Sequence, residues 1–117
     1  MRWNGFLATT IVALLAYAAP AAADTFVVDT TDDATGFCSP TSCSIRQAIV
    51  SSGQSSGPDA IQIPQGFYAL SQGPLQITSE VTIAGAGATA TTIYAASNSR
   101  VFDIAGTTAS ISHLTMA

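Results

Sequence analysis

The chain has 117 residues, with three basic side chains, seven acidic ones and a formal net charge of −4. There is no lysine and no basic patch, which excludes nucleic acid as a natural partner. What remains beyond residue 23 is enough for one small domain with a modest core, and a second globular domain is excluded.

The first segment has the layout of a cleavable secretory leader. Arg2 is followed by an apolar run from Phe6 to Ala19 and by the small residues Ala21, Ala22 and Ala23. Residues 1–23 are therefore expected to be removed, with cleavage between Ala23 and Asp24. The run is too short for a membrane span, which needs about 20 apolar residues, and no later segment could serve as one. Export to the cell surface, the extracellular space or the periplasm is the expected destination, with no retained membrane span.

Thr25 to Thr30 is β-branched and aromatic and reads as a strand, followed by a polar loop from Asp32 to Pro40. Cys38 and Cys43 flank four residues that include the turn former Pro40, and in an exported chain a local disulfide is expected. Closing so small a loop stabilises by roughly 2 kcal/mol on the chain-entropy model. A metal site would need more ligands than the single distant His113 supplies, so none is expected. Ser44 and Gln47 have the spacing of a capping box, and Ile45, Ala48 and Ile49 form one apolar stripe at helical period. This short helix should stop by Gly53 and needs something to dock on.

From Asp59 onward, short apolar pieces alternate with Gly, Ser, Thr and Ala. They are Ile61-Gln62-Ile63, Leu75-Gln76-Ile77, Val81-Thr82-Ile83, Ile93-Tyr94, Phe102-Asp103-Ile104, Ile111 and Leu114-Thr115-Met116. Most bury one face and expose the other. The pieces are short for a sandwich, and beyond the leader there is no Asn-Gly, Asp-Gly or Gly-Gly pair to turn a two-residue hairpin. A parallel solenoid explains both features, with a β-sandwich as its competitor.

The run Cys43-Ser44-Ile45-Arg46-Gln47-Ala48-Ile49 resembles the Cys-Ser-Leu-Arg-Glu-Ala-Ile signature of the CSLREA domain. That domain stands at the start of bacterial secreted and surface proteins with right-handed parallel β-helix repeats. A leading strand, an upstream cysteine, Pro58-Asp59-Ala60-Ile61 and Val81-Thr82-Ile83-Ala84-Gly85-Ala86-Gly87 accompany the match. Ile45 and Gln47 depart from the signature, both conservatively. The resemblance implies an all-β fold: a right-handed parallel β-helix of a few rungs with a short capping helix at its N-terminal end. Residues 24–58 would form that cap, of strand, disulfide loop and amphipathic helix, and residues 59–117 the first rungs of an incomplete β-helix. Arg46 would then be a structural partner for an acid such as Asp29 or Asp59, or else a ligand contact.

Other motifs lack the context their chemistry demands. Gly53-Gln54-Ser55-Ser56-Gly57 fits a nucleophile elbow, but a helix precedes it where a strand is required. Gly85-Ala86-Gly87-Ala88-Thr89-Ala90 fits a dinucleotide fingerprint, yet β-branched Thr91, Thr92 and Ile93 follow where a helix should open. These glycines read instead as a corner. Asp29, Asp32 and Asp33 lack the spacing of a calcium loop and read as a solvated acidic turn. His113 is isolated, and Arg100 with Asp103 reads as a surface pair. No catalytic residue, metal or cofactor is therefore expected. The expected function is a secreted or cell-surface structural and adhesive module, with surface polysaccharide or another cell-surface protein as partner. Alternatives are a polysaccharide lyase or hydrolase on the same fold, or a small carbohydrate-binding β-sandwich. The last strand, with Leu114 and Met116 on one side and nothing after it, is expected to permit self-association through an open C-terminal rung.

Overall fold

The structure is a computed structural model that describes residues 23–117 apart from 56, 97 and 98. The charged and apolar parts of the expected leader lie outside the described residues. The elements in chain order are β1 (Thr25–Val27), α1 (Ile45–Gln54), β2 (Asp59–Ile63), β3 (Gly66–Leu70), β4 (Leu75–Ile77), β5 (Val81–Gly85), β6 (Thr91–Ala95), β7 (Phe102–Ile104), β8 (Ala109–Ser112) and β9 (Thr115–Met116). Among the described residues, no helix is long and apolar enough to cross a membrane.

The strands form three sheets, ordered β1-β2-β5-β8, β3-β6-β9 and β4-β7. All strand pairings are parallel. The trio β2, β3, β4 is thus followed by β5, β6, β7, each strand lying beside its counterpart. A sandwich of antiparallel sheets is not what these strands form, which corrects that alternative. Parallel neighbours cannot be joined by a tight hairpin, and this accounts for the missing hairpin dipeptides.

Register stacks like on like. Ile61 lies beside Ile83 and Ile83 beside Ile111, while Tyr68, Ile93 and Met116 form a second column. Leu75 pairs with Phe102 and Ile77 with Ile104. Alternation along each strand sends these residues to one side, where Ile61, Ile63, Leu75, Ile77, Ile83 and Ile93 make a fully buried core. Tyr68 is also buried, which pushes its phenol up from the ordinary value, and its hydroxyl donates to the Pro64 carbonyl at 2.8 Å.

Two elements differ from expectation. β1 ends at Val27 rather than Thr30 because the chain changes partner: Val28 N–H still donates to Gln62, but Asp29 N–H donates to the Cys43 carbonyl. β3 was not expected, since in Gly-Phe-Tyr-Ala-Leu the outward positions are Phe67 and Ala69 and no polar residue marks the alternation. At the corner after β5, Gly85 is dictated by close approach. A Cβ there would lie 2.3 Å from the His113 carbonyl oxygen. Thr91 fills the same corner, buried, accepting from Ala86 N–H at 2.9 Å and donating to the Pro64 carbonyl at 3.1 Å.

Candidate functional site

The region from β1 to the start of β2 gathers most of the polar chemistry. Ser44 caps α1: its hydroxyl accepts from Gln47 N–H at 3.0 Å, and the Gln47 side-chain oxygen accepts from Ser44 N–H at 2.8 Å. That is the expected capping box, and both residues bind the preceding loop as well, through the Ala34 and Thr35 carbonyls. Ile45, Ala48 and Ile49 are buried and belong to the same apolar cluster as Val28, Ile61, Leu75 and Ile77. The amphipathic stripe is therefore docked on the interior of the first trio of strands. Helix formation ends at Gln54, one residue beyond the expected stop.

Cys38 and Cys43 are disulfide-bonded, with Cα atoms 4.4 Å apart. The loop they close is held on both sides. Asp29 accepts from Cys43 N–H at 2.7 Å, and the Ser51 hydroxyl accepts from Cys38 N–H at 2.9 Å.

Arg46 pairs with Asp33, and not with Asp29 or Asp59. Its Nε and Nη2 donate to the two Asp33 oxygens at 2.7 and 3.0 Å. Nη1 and Nη2 also donate to the Pro74 and Gly73 carbonyls at 3.1 and 2.7 Å. Asp33 in turn accepts from Ser71 and Gln72 N–H at 2.7 and 2.9 Å. Asp29 and Asp59 accept instead from the backbone N–H groups of Cys43 and Asp24. Nor is Asp33 part of a solvated turn: its side chain is 3% exposed. Burial pushes its carboxyl up, but hydrogen bonds from Arg46, Ser71 and Gln72, with the guanidinium charge, outweigh this and hold it below 3.8. Helix, loop and the β3–β4 connection are thus stapled at one point. No local spacing announced it, since Asp33 meets residues 71–74 only through the fold.

The remaining sequence candidates do not converge. The carboxylates of Asp29 and Asp33 bind separate partners, Asp32 is exposed and bonds Thr30 through its backbone N–H, and among the described residues no cluster of three metal-ligating side chains occurs. Ser55 donates to the Asp24 carboxylate, while the ring of exposed His113 meets Ser112, so no elbow triad forms; Ser56 lies outside the described residues. Residues 85–90 form a corner leading into β6, as expected. Arg100 and Asp103 are an exposed pair at 3.9 Å.

Two surface features stand out. A groove of about 480 Å³ runs between α1 and β4, lined by Gln54, Gln72, Gln76 and Thr78, with Arg46 as its only ionic side chain. On β3 and β6, Phe67 and Tyr94 project outward, 58% and 42% exposed, with ring centroids 5.9 Å apart and planes 26° from parallel. Phe67 and Tyr94 are distant in sequence, and only the register of β3 on β6 brings them together.

No protein-family model, curated protein or solved structure matches the chain.

Proposed function

We propose that the chain is the capped N-terminal part of an exported right-handed parallel β-helix, a structural and adhesive module of the CSLREA type. The observation that carries the reading is the set of in-register parallel columns, covered at one end by α1. An architecture that adds one trio of strands at a time suits a long surface scaffold. The Cys38–Cys43 bond is compatible with an extracellular location.

Surface polysaccharide is the partner this surface favours. Two exposed rings side by side offer flat apolar faces to sugar rings. A lyase or hydrolase would need an acid and a base converging on substrate. The groove beside α1 offers only Arg46, which is engaged by Asp33.

Co-sedimentation of the purified exported protein with a panel of insoluble polysaccharides tests the proposal. Retention that falls at least about tenfold in Phe67→Ala and Tyr94→Ala is expected, the loss of about 1.4 kcal/mol or more per ring. Absence of retention on every polymer would overturn the polysaccharide partner. Release of new chain ends into the supernatant would replace the adhesive reading with the enzymatic one.

A further inference from the structure

One carboxylate in the cap is buried and half-satisfied. Asp59 opens β2 and is 3% exposed. Its Oδ1 accepts from Asp24 N–H at 2.9 Å, and the Ser55 hydroxyl 3.4 Å away has its one proton directed to the Asp24 carboxylate. Its Oδ2 is buried without any hydrogen-bond partner among the described residues. Both arginines among the described residues are paired elsewhere, Arg46 with Asp33 and Arg100 with Asp103. A buried carboxylate with one neutral donor and an orphan oxygen is an expensive arrangement, and it becomes favourable once a cation joins it.

The donor at 2.9 Å is the backbone nitrogen of Asp24, the residue at which the expected leader ends. In the uncut chain that nitrogen is an amide with one hydrogen and no charge. Hydrolysis of the Ala23–Asp24 bond gives the hydroxyl of water to the Ala23 carbonyl and a hydrogen to Asp24 nitrogen. The new amine then takes up a proton at neutral pH, since α-amines titrate near about 7.7–8.0. It gains a positive charge and two further N–H donors beside an oxygen that has none.

We propose that Asp59 is a built-in receptor for the chain's own α-ammonium, so that removal of the leader creates an Asp24–Asp59 ion pair that locks the cap. Asp24 is already held in place for it. Its carbonyl accepts from Ala60 N–H at 2.9 Å, and its side chain accepts from Ser55, just beyond α1. The lock ties together the start of β1, the end of the docked helix and the start of β2. For the position of the cut, the inference rests on the export reading.

The chain has no lysine, so the α-amine is the only amine of the mature protein and amine-selective acetylation reports on it alone. The full chain is expressed with its leader in an exporting host, and N-terminal sequencing of the purified product establishes its start. At neutral pH the amine should acetylate at least about tenfold more slowly than that of the peptide Asp-Thr-Phe, the factor for one unit of protection. Complete acetylation should lower the Tm of the wild type by several degrees and leave that of Asp59→Asn unchanged. A mature start other than Asp24 overturns the processing step. A start at Asp24 with an amine as reactive as the peptide's overturns the ion pair alone. So does an equal loss of Tm in both proteins, and the reactivity measurement stands even if Asp59→Asn does not fold.

Discussion

Ile77 and Ile104 are the same residue in the same column of the same sheet, yet the first is 1% exposed and the second 42%. The difference lies entirely in what covers them. Ile77 belongs to the trio of strands that α1 closes, and it is covered on its other side by β7. Ile104 belongs to the second trio, whose third strand has no neighbour beyond it among the described residues. The two ends therefore share a backbone pattern and side-chain chemistry and differ in closure. Helix, disulfide loop and the Arg46–Asp33 staple supply it at one end, and nothing described does so at the other.

Reversing that asymmetry should produce the largest effect. Ile49→Asp puts a charge without a partner into the interface between α1 and the core, and should cost about 4 kcal/mol or undock the helix. Ile104→Asp, at the open end, should cost about 1 kcal/mol. Urea denaturation of both variants checks the ratio, and similar costs would mean that α1 does not close the core. Gln54 is exposed and suits a neutral control on the helix. Ser51 does not, because its hydroxyl accepts from Cys38 N–H.

A smaller effect is expected from the staple, and it depends on pH. The Asp33 carboxyl is lowered in the folded protein, so the folded state binds fewer protons than the unfolded one. Its contribution is complete above the ordinary value of 3.8 and is lost as pH falls through the lowered folded value. The stability gap between wild type and Asp33→Asn should thus be largest near neutrality and narrow in acid. Arg46→Leu leaves Asp33 buried without its cation and should cost about 3 kcal/mol at pH 7. Chemical denaturation from pH 7 down to pH 3 measures both, and a gap that does not narrow would show that the pair adds nothing beyond its packing.

What could be read in advance depended on how local each cause was. The capping box and the apolar stripe of α1 are set by residues within a few positions of one another, and both were legible. The disulfide joins cysteines five apart and was legible for the same reason. Alternation revealed most strands, but β3 escaped because Phe67 faces outward beside Tyr68 facing inward. Partners distant in the chain stayed hidden. Asp33 meets Arg46 and residues 71–74, Phe67 meets Tyr94 and Asp24 meets Asp59 only after parallel register has been set. Asp29 and Asp33 looked interchangeable in sequence, and the fold gives the first to the disulfide loop and the second to Arg46.

The smallest change tests the open end directly. Met116 is 55% exposed on β9, whose outer edge has no partner strand among the described residues, and Leu114 and Ile111 beside it are only half-buried. Apolar side chains next to free backbone donors and acceptors make a template for another strand, and a second copy of the same edge is always at hand. The chain as it stands should therefore self-associate through this layer. Met116→Lys adds a charge at a half-exposed position whose long side chain can still cover Ile93, so monomer stability should change by no more than about 1 kcal/mol. Its effect on assembly should be far larger, because each copy would bring the new charge into the contact. Sedimentation velocity across a range of concentrations separates the two consequences. Concentration-dependent growth in the wild type that disappears in Met116→Lys, with little-changed thermal melts at low concentration, would place the contact on this edge. Growth that persists in the variant would move it elsewhere, with the Phe67–Tyr94 face the next surface to substitute.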